Sequence, residues 1–165
     1  MVWSCLVSIL PGMAQTEKLT DYVNPFVGTD GYGNVYPGAQ IPFGGIQISP
    51  DTDSRFYDAA SGYKYNHLTL MGFSLTHLSG TGIPDLGDFL FIPGTGEMKL
   101  EPGTHEDPDQ GYRSRYSHDK EWASPNYYAV ELADYGVKAE MTSGVRSGMF
   151  LVSYTHLTLP TNSLV

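Results

Sequence analysis

Basic residues are scarce in this chain. Its 165 residues hold 9 Lys and Arg against 18 Asp and Glu, a formal net charge of -9. A surface of that sign repels a phosphate backbone, which excludes nucleic acid as the natural partner. The same shortage leaves no basic amphipathic run for an anionic membrane. Cysteine is scarcer still: Cys5 has no second thiol in the chain to pair with, and no Cys-x-x-Cys motif offers a zinc or redox site. No apolar stretch approaches the roughly 20 residues of a transmembrane helix. Nor does any segment of useful length repeat its apolar residues at helical spacing.

What is present is apolar and aromatic material broken by turn residues. Hydrophobic residues make up 41% of the chain and aromatics 13%, enough for a core and too much for simple disorder. Tyrosine dominates, with 12 Tyr against 7 Phe and 2 Trp. Its flat apolar face and hydroxyl suit a strand surface or a sugar contact equally. Short apolar or β-branched runs alternate with Gly, Pro, Asn and Asp clusters, which predicts strands over 22–27, 45–48, 70–76, 88–92, 97–100, 112–117, 127–134, 137–143 and 147–154. The clearest alternation sets Tyr128, Val130 and Leu132 on one face. Asp134-Tyr135-Gly136 then turns the chain and Val137 begins a second alternating run, so the two read as a hairpin. The expected fold class is all-β, an antiparallel β-sandwich.

At the N-terminus, residues 2–10 form a short apolar run broken by Pro11-Gly12, with small residues Gly12 and Ala14 ahead of the polar Gln15. Residues 1–14 therefore read as a shortened export signal without its basic start, the other reading being an apolar strand. Export places the protein in the periplasm, at the cell surface or outside the cell.

Two glycine-rich stretches are too irregular for strands. One is Gly28-Thr29-Asp30-Gly31-Tyr32-Gly33-Asn34; the other runs from Ser79-Gly80-Thr81-Gly82 to Asp85-Leu86-Gly87-Asp88. Loops carried on a rigid sheet are where binding residues concentrate. A glycosidase needs two carboxyl groups across the scissile bond, one protonated and one ionised. Of the close aspartate pairs Asp51 and Asp53, Asp85 and Asp88, and Asp107 and Asp109, only Asp85 and Asp88 lie beside a glycine-rich loop leading into a strand, where capping of loop amides competes with catalysis as their role. His77 ends an apolar run just before that loop and reads equally as a sugar-hydroxyl contact and as a structural histidine. Gly80-Thr81-Gly82 lacks the Lys-Ser/Thr of a phosphate loop and the helix of a dinucleotide site. Ser74 and Ser79 lack a nucleophile-elbow setting. The spacing of His67 and His77 matches no zinc pattern.

Taken in order, several runs resemble one family. These are Tyr22-Val23-Asn24-Pro25-Phe26-Val27-Gly28-Thr29, Tyr36-Pro37-Gly38-Ala39, Ile41-Pro42-Phe43-Gly44, Gln47-Ile48-Ser49-Pro50-Asp51-Thr52, Ser61-Gly62-Tyr63-Lys64-Tyr65, the run from Gly72 through His77 to Gly82, Asp85-Leu86-Gly87-Asp88 and Ala123-Ser124-Pro125-Asn126-Tyr127-Tyr128. The series, spanning about 22–148, resembles the N-terminal β-sandwich domain of glycoside hydrolase family 92, the calcium-dependent exo-acting α-mannosidases. The resemblance implies an inverting hydrolysis of terminal α-mannosides of glycans. The acid, the base and most of the Ca2+ site would belong to a following α/α-barrel domain, absent here, so this piece alone would be inactive. By the same resemblance residues 19–150 form the sandwich and wall the substrate pocket with Phe26, Gly28, Thr29, Gly38, Ala39, His77, Ser79, Gly80, Asp85 and Asp88. No catalytic residue and no metal ligand is assigned within the chain. Where the family has a tryptophan before Ser61-Gly62-Tyr63, this chain has Tyr57-Asp58-Ala59-Ala60, so an aromatic contact to the leaving group is not carried over. Residues 151–165 depart from the family and read as a non-native tail. The alternative function is a non-catalytic carbohydrate-binding or surface adhesion sandwich.

Overall fold

The computed structural model describes residues 17–53, 57–80 and 82–154. The export-signal reading of 1–14 lies outside those residues. Among the described residues eight strands are formed: β1 (Ser49–Asp51), β2 (Thr69–Leu70), β3 (Gly72–Ser74), β4 (Ser114–Arg115), β5 (Glu121–Ser124), β6 (Tyr127–Leu132), β7 (Val137–Ser143) and β8 (Gly148–Tyr154). All pairing is antiparallel, and the only helices among the described residues are four short 3-10 turns. The fold is all-β, as the punctuation of the sequence predicts.

Strands β5 to β8 form one sheet in chain order, while β1 with β3 and β2 with β4 form two small ribbons. Period-two alternation sends Tyr128, Val130 and Leu132 of β6 to the same inner face as Val137, Ala139 and Met141 of β7, and all six are buried. Ile48, Tyr63, Leu70 and Phe73 meet them from the ribbon side and close a single core. Phe150 and Val152 of β8 pack at its border, while Met149 and Leu151 point outward from this edge strand. The sandwich is thus a regular sheet faced by short, irregular ribbons and the loops that join them. Those loops carry the candidate site.

Several strand expectations change. The 22–27 segment is no strand: a 3-10 turn covers Leu19–Tyr22, and the Asn24 side chain then takes the Phe26 amide at 3.0 Å. An Asx turn of this kind offers the backbone a local partner in place of a sheet neighbour. The 45–48 run supplies only a bridge, Ile48 to Ala39, before β1 begins at Ser49. The 70–76 run splits around Met71, whose amide turns to the Asp51 carbonyl. Of 88–92 only Phe91 pairs, in a bridge to Phe73, and 97–100 forms no strand. The 112–117 run contracts to β4, and β5 has no counterpart among the expected strands. The 147–154 run does form a strand, β8 from Gly148 to Tyr154 opposite β7, and it includes residues 151–154 that the tail reading also covers. The remainder, 155–165, is outside the described residues.

Leu132 is fully buried and Met149 is 69% exposed on the edge strand. Leu132→Ala is therefore expected to cost about 2–5 kcal/mol of unfolding free energy, and Met149→Ala to stay within about 0.5 kcal/mol, read from urea midpoints.

Candidate functional site

The site is built on the ribbon of β1 and β3. Register places Asp51 opposite Gly72 and Ser49 opposite Ser74, so Asp51 and Ser74 share one face of the ribbon. Gly72 has no side chain to fill the space beside Asp51. Ser74 donates its hydroxyl to Asp51 Oδ2 at 2.6 Å. Three residues on, His77 folds back so that Nε2 lies 2.9 Å from Asp51 Oδ1 and 3.0 Å from Ser74 Oγ. Its Nδ1 lies 2.7 Å from the Gln47 carbonyl.

These contacts fix the protonation of His77. A carbonyl oxygen only accepts, so Nδ1 must carry a proton. Nε2 faces a carboxylate oxygen and a serine oxygen whose own proton is already given to Asp51, so Nε2 must carry one too. His77 is an imidazolium buried against a carboxylate. Burial alone pulls its pKa down, but the charge of Asp51, its hydrogen bond and the Gln47 carbonyl outweigh that and leave the pKa raised. A histidine already protonated on both nitrogens cannot take a proton from Ser74. The trio has the residue types of a nucleophilic triad and the wiring of a structural ion pair.

The pair borders a cavity of about 180 Å³ lined by Asp51, Ser61, Gly62, His77, Asp85 and Leu86, among others. Gly62 lies against the pair at close range. A Cβ built there would stand 2.2 Å from Asp51 Oδ1 and 3.1 Å from the His77 ring, and the φ of +86° is itself one that other residues adopt only under strain. The glycine of the Ser61-Gly62-Tyr63 motif is thus a packing requirement of the ion pair.

The predicted pocket residues fall into three groups. Phe26, Gly28 and Thr29 form a compact turn in which the Thr29 amide and hydroxyl both donate to the Phe26 carbonyl, at 3.1 and 2.8 Å. Thr29 is buried, Phe26 half-buried and Gly28 exposed. Gly38 and Ala39 instead attach the chain to the ribbon: Ala39 exchanges two backbone bonds with Ile48 and is fully buried in the core. A Cβ on Gly38 would lie 2.1 Å from the Ile48 carbonyl, so only glycine permits that approach. In the third group, His77 and Asp85 border the cavity, while Ser79, Gly80 and Asp88 are exposed on the loop around it. Asp85 Oδ1 accepts the Leu86 amide at 2.9 Å, and Asp88 sits 3.5 Å from the Thr76 hydroxyl. Amide capping is the observed work of Asp85.

The two glycine-rich loops meet. The Gly80 amide donates to the Asn34 carbonyl at 2.6 Å, the Val35 amide to the Gly28 carbonyl at 3.2 Å, and the Tyr36 ring lies 5.2 Å from that of His77. Asp51, Ser74, Gly62 and Tyr36 were not singled out as site residues. Asp51 stands 26 residues from His77, and no local spacing signals such a pairing.

Calcium takes six to eight oxygen ligands. Both Asp51 oxygens are engaged, one Asp85 oxygen is taken by an amide, and no group of three or more His, Cys, Asp or Glu suited to a metal ion occurs among the described residues. The described residues do not fit a calcium site.

The family model described as the glycosyl hydrolase family 92 N-terminal domain matches residues 22–164, beyond the 148 at which the motif series stops. A family GH92 α-mannosidase from Bacteroides thetaiotaomicron, known alone and in complex with mannoimidazole, is 98% identical over 84% of this chain, with a TM-score of 0.82. A gh92 family glycosyl hydrolase of known structure is 30% identical over 82% of the chain, with a TM-score of 0.68. Among curated proteins, an uncharacterized secreted glycosidase of Arthroderma benhamiae is 29% identical over 82% of the chain. The chain spans 18%, 19% and 17% of the mannosidase complex, the second structure and the fungal protein respectively.

Because His77 has a raised pKa when folded, its contribution to stability is complete below the unfolded value of about 6.5 and is lost as pH rises through the higher folded value. Urea midpoints should fall over that window in the wild type, and His77→Gln should remove this decline. Gly62→Ala should destabilise by about 1–3 kcal/mol at pH 6, through strain and displacement of Asp51.

Proposed function

The chain belongs to glycosyl hydrolase family 92, as its N-terminal domain, and from that premise we propose that it supplies one wall of the mannose pocket in an exported, inverting α-mannosidase acting on terminal α-mannosides of glycans. The observation that carries this reading is the 98% identity to the Bacteroides thetaiotaomicron α-mannosidase over most of the chain. Near-identity at that level keeps side chains as well as backbone, so the surface this domain presents in one protein it presents in the other. Export is in keeping with the fungal relative's description as secreted.

Inverting hydrolysis places a carboxylic acid and a carboxylate about 6.5–9.5 Å apart, with a water held between the base and the sugar. The carboxylates bordering the cavity are otherwise engaged. Asp51 neutralises His77 and binds Ser74, and Asp85 caps its own loop. Asp51, with both oxygens engaged, is not poised to exchange a proton with substrate. The proposed acid and base, and the calcium, therefore belong to parts of the parent enzyme that this chain does not span. The chain's own work is to present the 26–29 turn and the loop after His77 as a preformed polar and aromatic surface. Such a surface holds a sugar at low entropic cost because its loops are already tied together.

The isolated chain should release no aryl leaving group from an aryl α-mannoside, with or without calcium. The full-length protein that carries it should hydrolyse the same substrate and yield β-mannose as the first product, read by proton NMR. Turnover by the isolated chain would overturn the division of labour proposed here.

A further inference from the structure

Glu121 opens β5 with its side chain only 1% exposed, although the sheet would accept an apolar residue opposite Val130. Its carboxylate receives the Tyr63 hydroxyl at 2.9 and 3.1 Å, the Tyr128 hydroxyl at 2.5 Å and His118 Nδ1 at 2.6 Å. Burial, and then the charge of Glu121, hold the Tyr128 hydroxyl protonated far above its ordinary range, so it remains a donor. A buried carboxylate is costly, and a well-packed apolar side chain often stabilises a fold as much or more. Core stability alone does not account for it.

What the carboxylate holds leads out of the sheet to the pocket wall. Tyr63 and Tyr65 both lie against the ring of Phe26, at centroid distances of 6.4 and 5.7 Å. Tyr63 is pinned directly by Glu121. Tyr65 is pinned through His118, whose Nε2 lies 2.7 Å from the Tyr65 carbonyl and whose ring stacks on the Tyr65 ring at 3.9 Å and 5°. The Tyr65 amide in turn donates to the Thr29 carbonyl at 3.0 Å. Both routes begin at one carboxylate and end on the same four-residue turn. Other ties from outside that turn are the Phe26 amide to the Asn24 side chain, the Val27 amide to the Asn24 carbonyl, the Val35 amide to the Gly28 carbonyl and, just beyond it, the Lys64 ammonium to the Gly31 carbonyl.

We propose that Glu121, acting through His118 and the Tyr63/Tyr65 strip, is the positioning residue that fixes the Phe26 ring and the 26–29 turn. The proposal rests on the reading of that turn as pocket wall. Glu121 touches no substrate; it sets the place of a group that does. Charge-assisted bonds to a buried carboxylate suit this task because they are directional, whereas apolar packing allows the strip to slide.

The test is amide hydrogen exchange on the full 165-residue chain, comparing the wild type with Glu121→Gln and His118→Phe. Glu121→Gln keeps an oxygen for the two tyrosines and weakens the hold on His118. His118→Phe keeps a ring over Tyr65 and removes both hydrogen bonds. Amides of β6 and β7 report global opening; those of Thr29 and Tyr65 report the turn. Exchange at Thr29 and Tyr65 is expected to rise about tenfold relative to the β6 and β7 amides. An unchanged turn, or a rise only in proportion to the sheet amides, would show Glu121 to be a core residue and overturn the proposal. Should His118→Phe fail to fold, the milder Glu121→Gln carries the comparison alone. No mannoside enters the measurement, so its failure leaves the mannosidase reading standing. An inactive full-length enzyme would sink that reading and the link from the turn to substrate, while the exchange data would still decide whether Glu121 holds the turn.

Discussion

Asp51 is buried at the end of β1 with one oxygen on the Ser74 hydroxyl and the other on the His77 imidazolium, and the ribbon side of the molecule is arranged around that arrangement. The pair ties β1 to the chain leaving β3. It anchors His77 to the Gln47 carbonyl, requires a glycine at 62 and gives the cavity its polar edge. A buried charge without its partner costs several kcal/mol, so each half of the pair enforces the place of the other. The short ribbons have few backbone bonds of their own: three paired positions between β1 and β3, and two between β2 and β4. Side-chain bonds supply the definition that strand length does not.

The same logic recurs across the core. Glu121 does for the sheet edge and the 26–29 turn what Asp51 does for the ribbon, and in each case a histidine relays the hold to a backbone carbonyl, Gln47 for His77 and Tyr65 for His118. Apolar packing of Tyr128, Val130, Leu132, Val137, Ala139 and Met141 brings the two layers together. Packing of that kind is tolerant of small shifts, whereas the buried carboxylates are not. The division of labour is hydrophobic burial for cohesion and ionic bonds for placement.

The centre of the regular sheet, β6 and β7, was legible in the sequence because the inward residues there recur at period two, whereas β5 was missed. The 137–143 strand is found with the bounds predicted for it, since Val137, Ala139, Met141 and Ser143 are buried in strict alternation. The 127–134 run loses only its last two residues, as Asp134 turns away to bind the Arg115 amide and guanidinium. On the ribbon side the pattern fails. Phe89 and Phe91 have strand-forming side chains but are exposed, and only Phe91 finds a pairing partner. The glycine loops were legible as loops, and His77 as a residue of two possible roles. Its partner was not legible, because an ion pair spanning 26 residues leaves no trace in local spacing. Glu121 was equally silent: a glutamate ahead of an aromatic looks like any solvated strand end until Tyr63, 58 residues earlier, is seen to donate to it.

That contrast bears on how the motifs of this sandwich should be understood. Ser61-Gly62-Tyr63-Lys64-Tyr65 has the look of a binding sequence, yet the four residues after Ser61 each have an internal duty. Gly62 clears space for Asp51 and His77, Tyr63 bonds Glu121, Lys64 reaches the Gly31 carbonyl, and Tyr65 holds Thr29 and stacks on His118. The segment is a spine on which both glycine-rich loops are hung. It links the Asp51 pair on one side to the Glu121 cluster on the other, so a change in either is felt at Phe26 or at His77 through a handful of bonded contacts. The residues that face the cavity are few and held from behind. Positioning is the work of the buried Asp51 and Glu121 carboxylates.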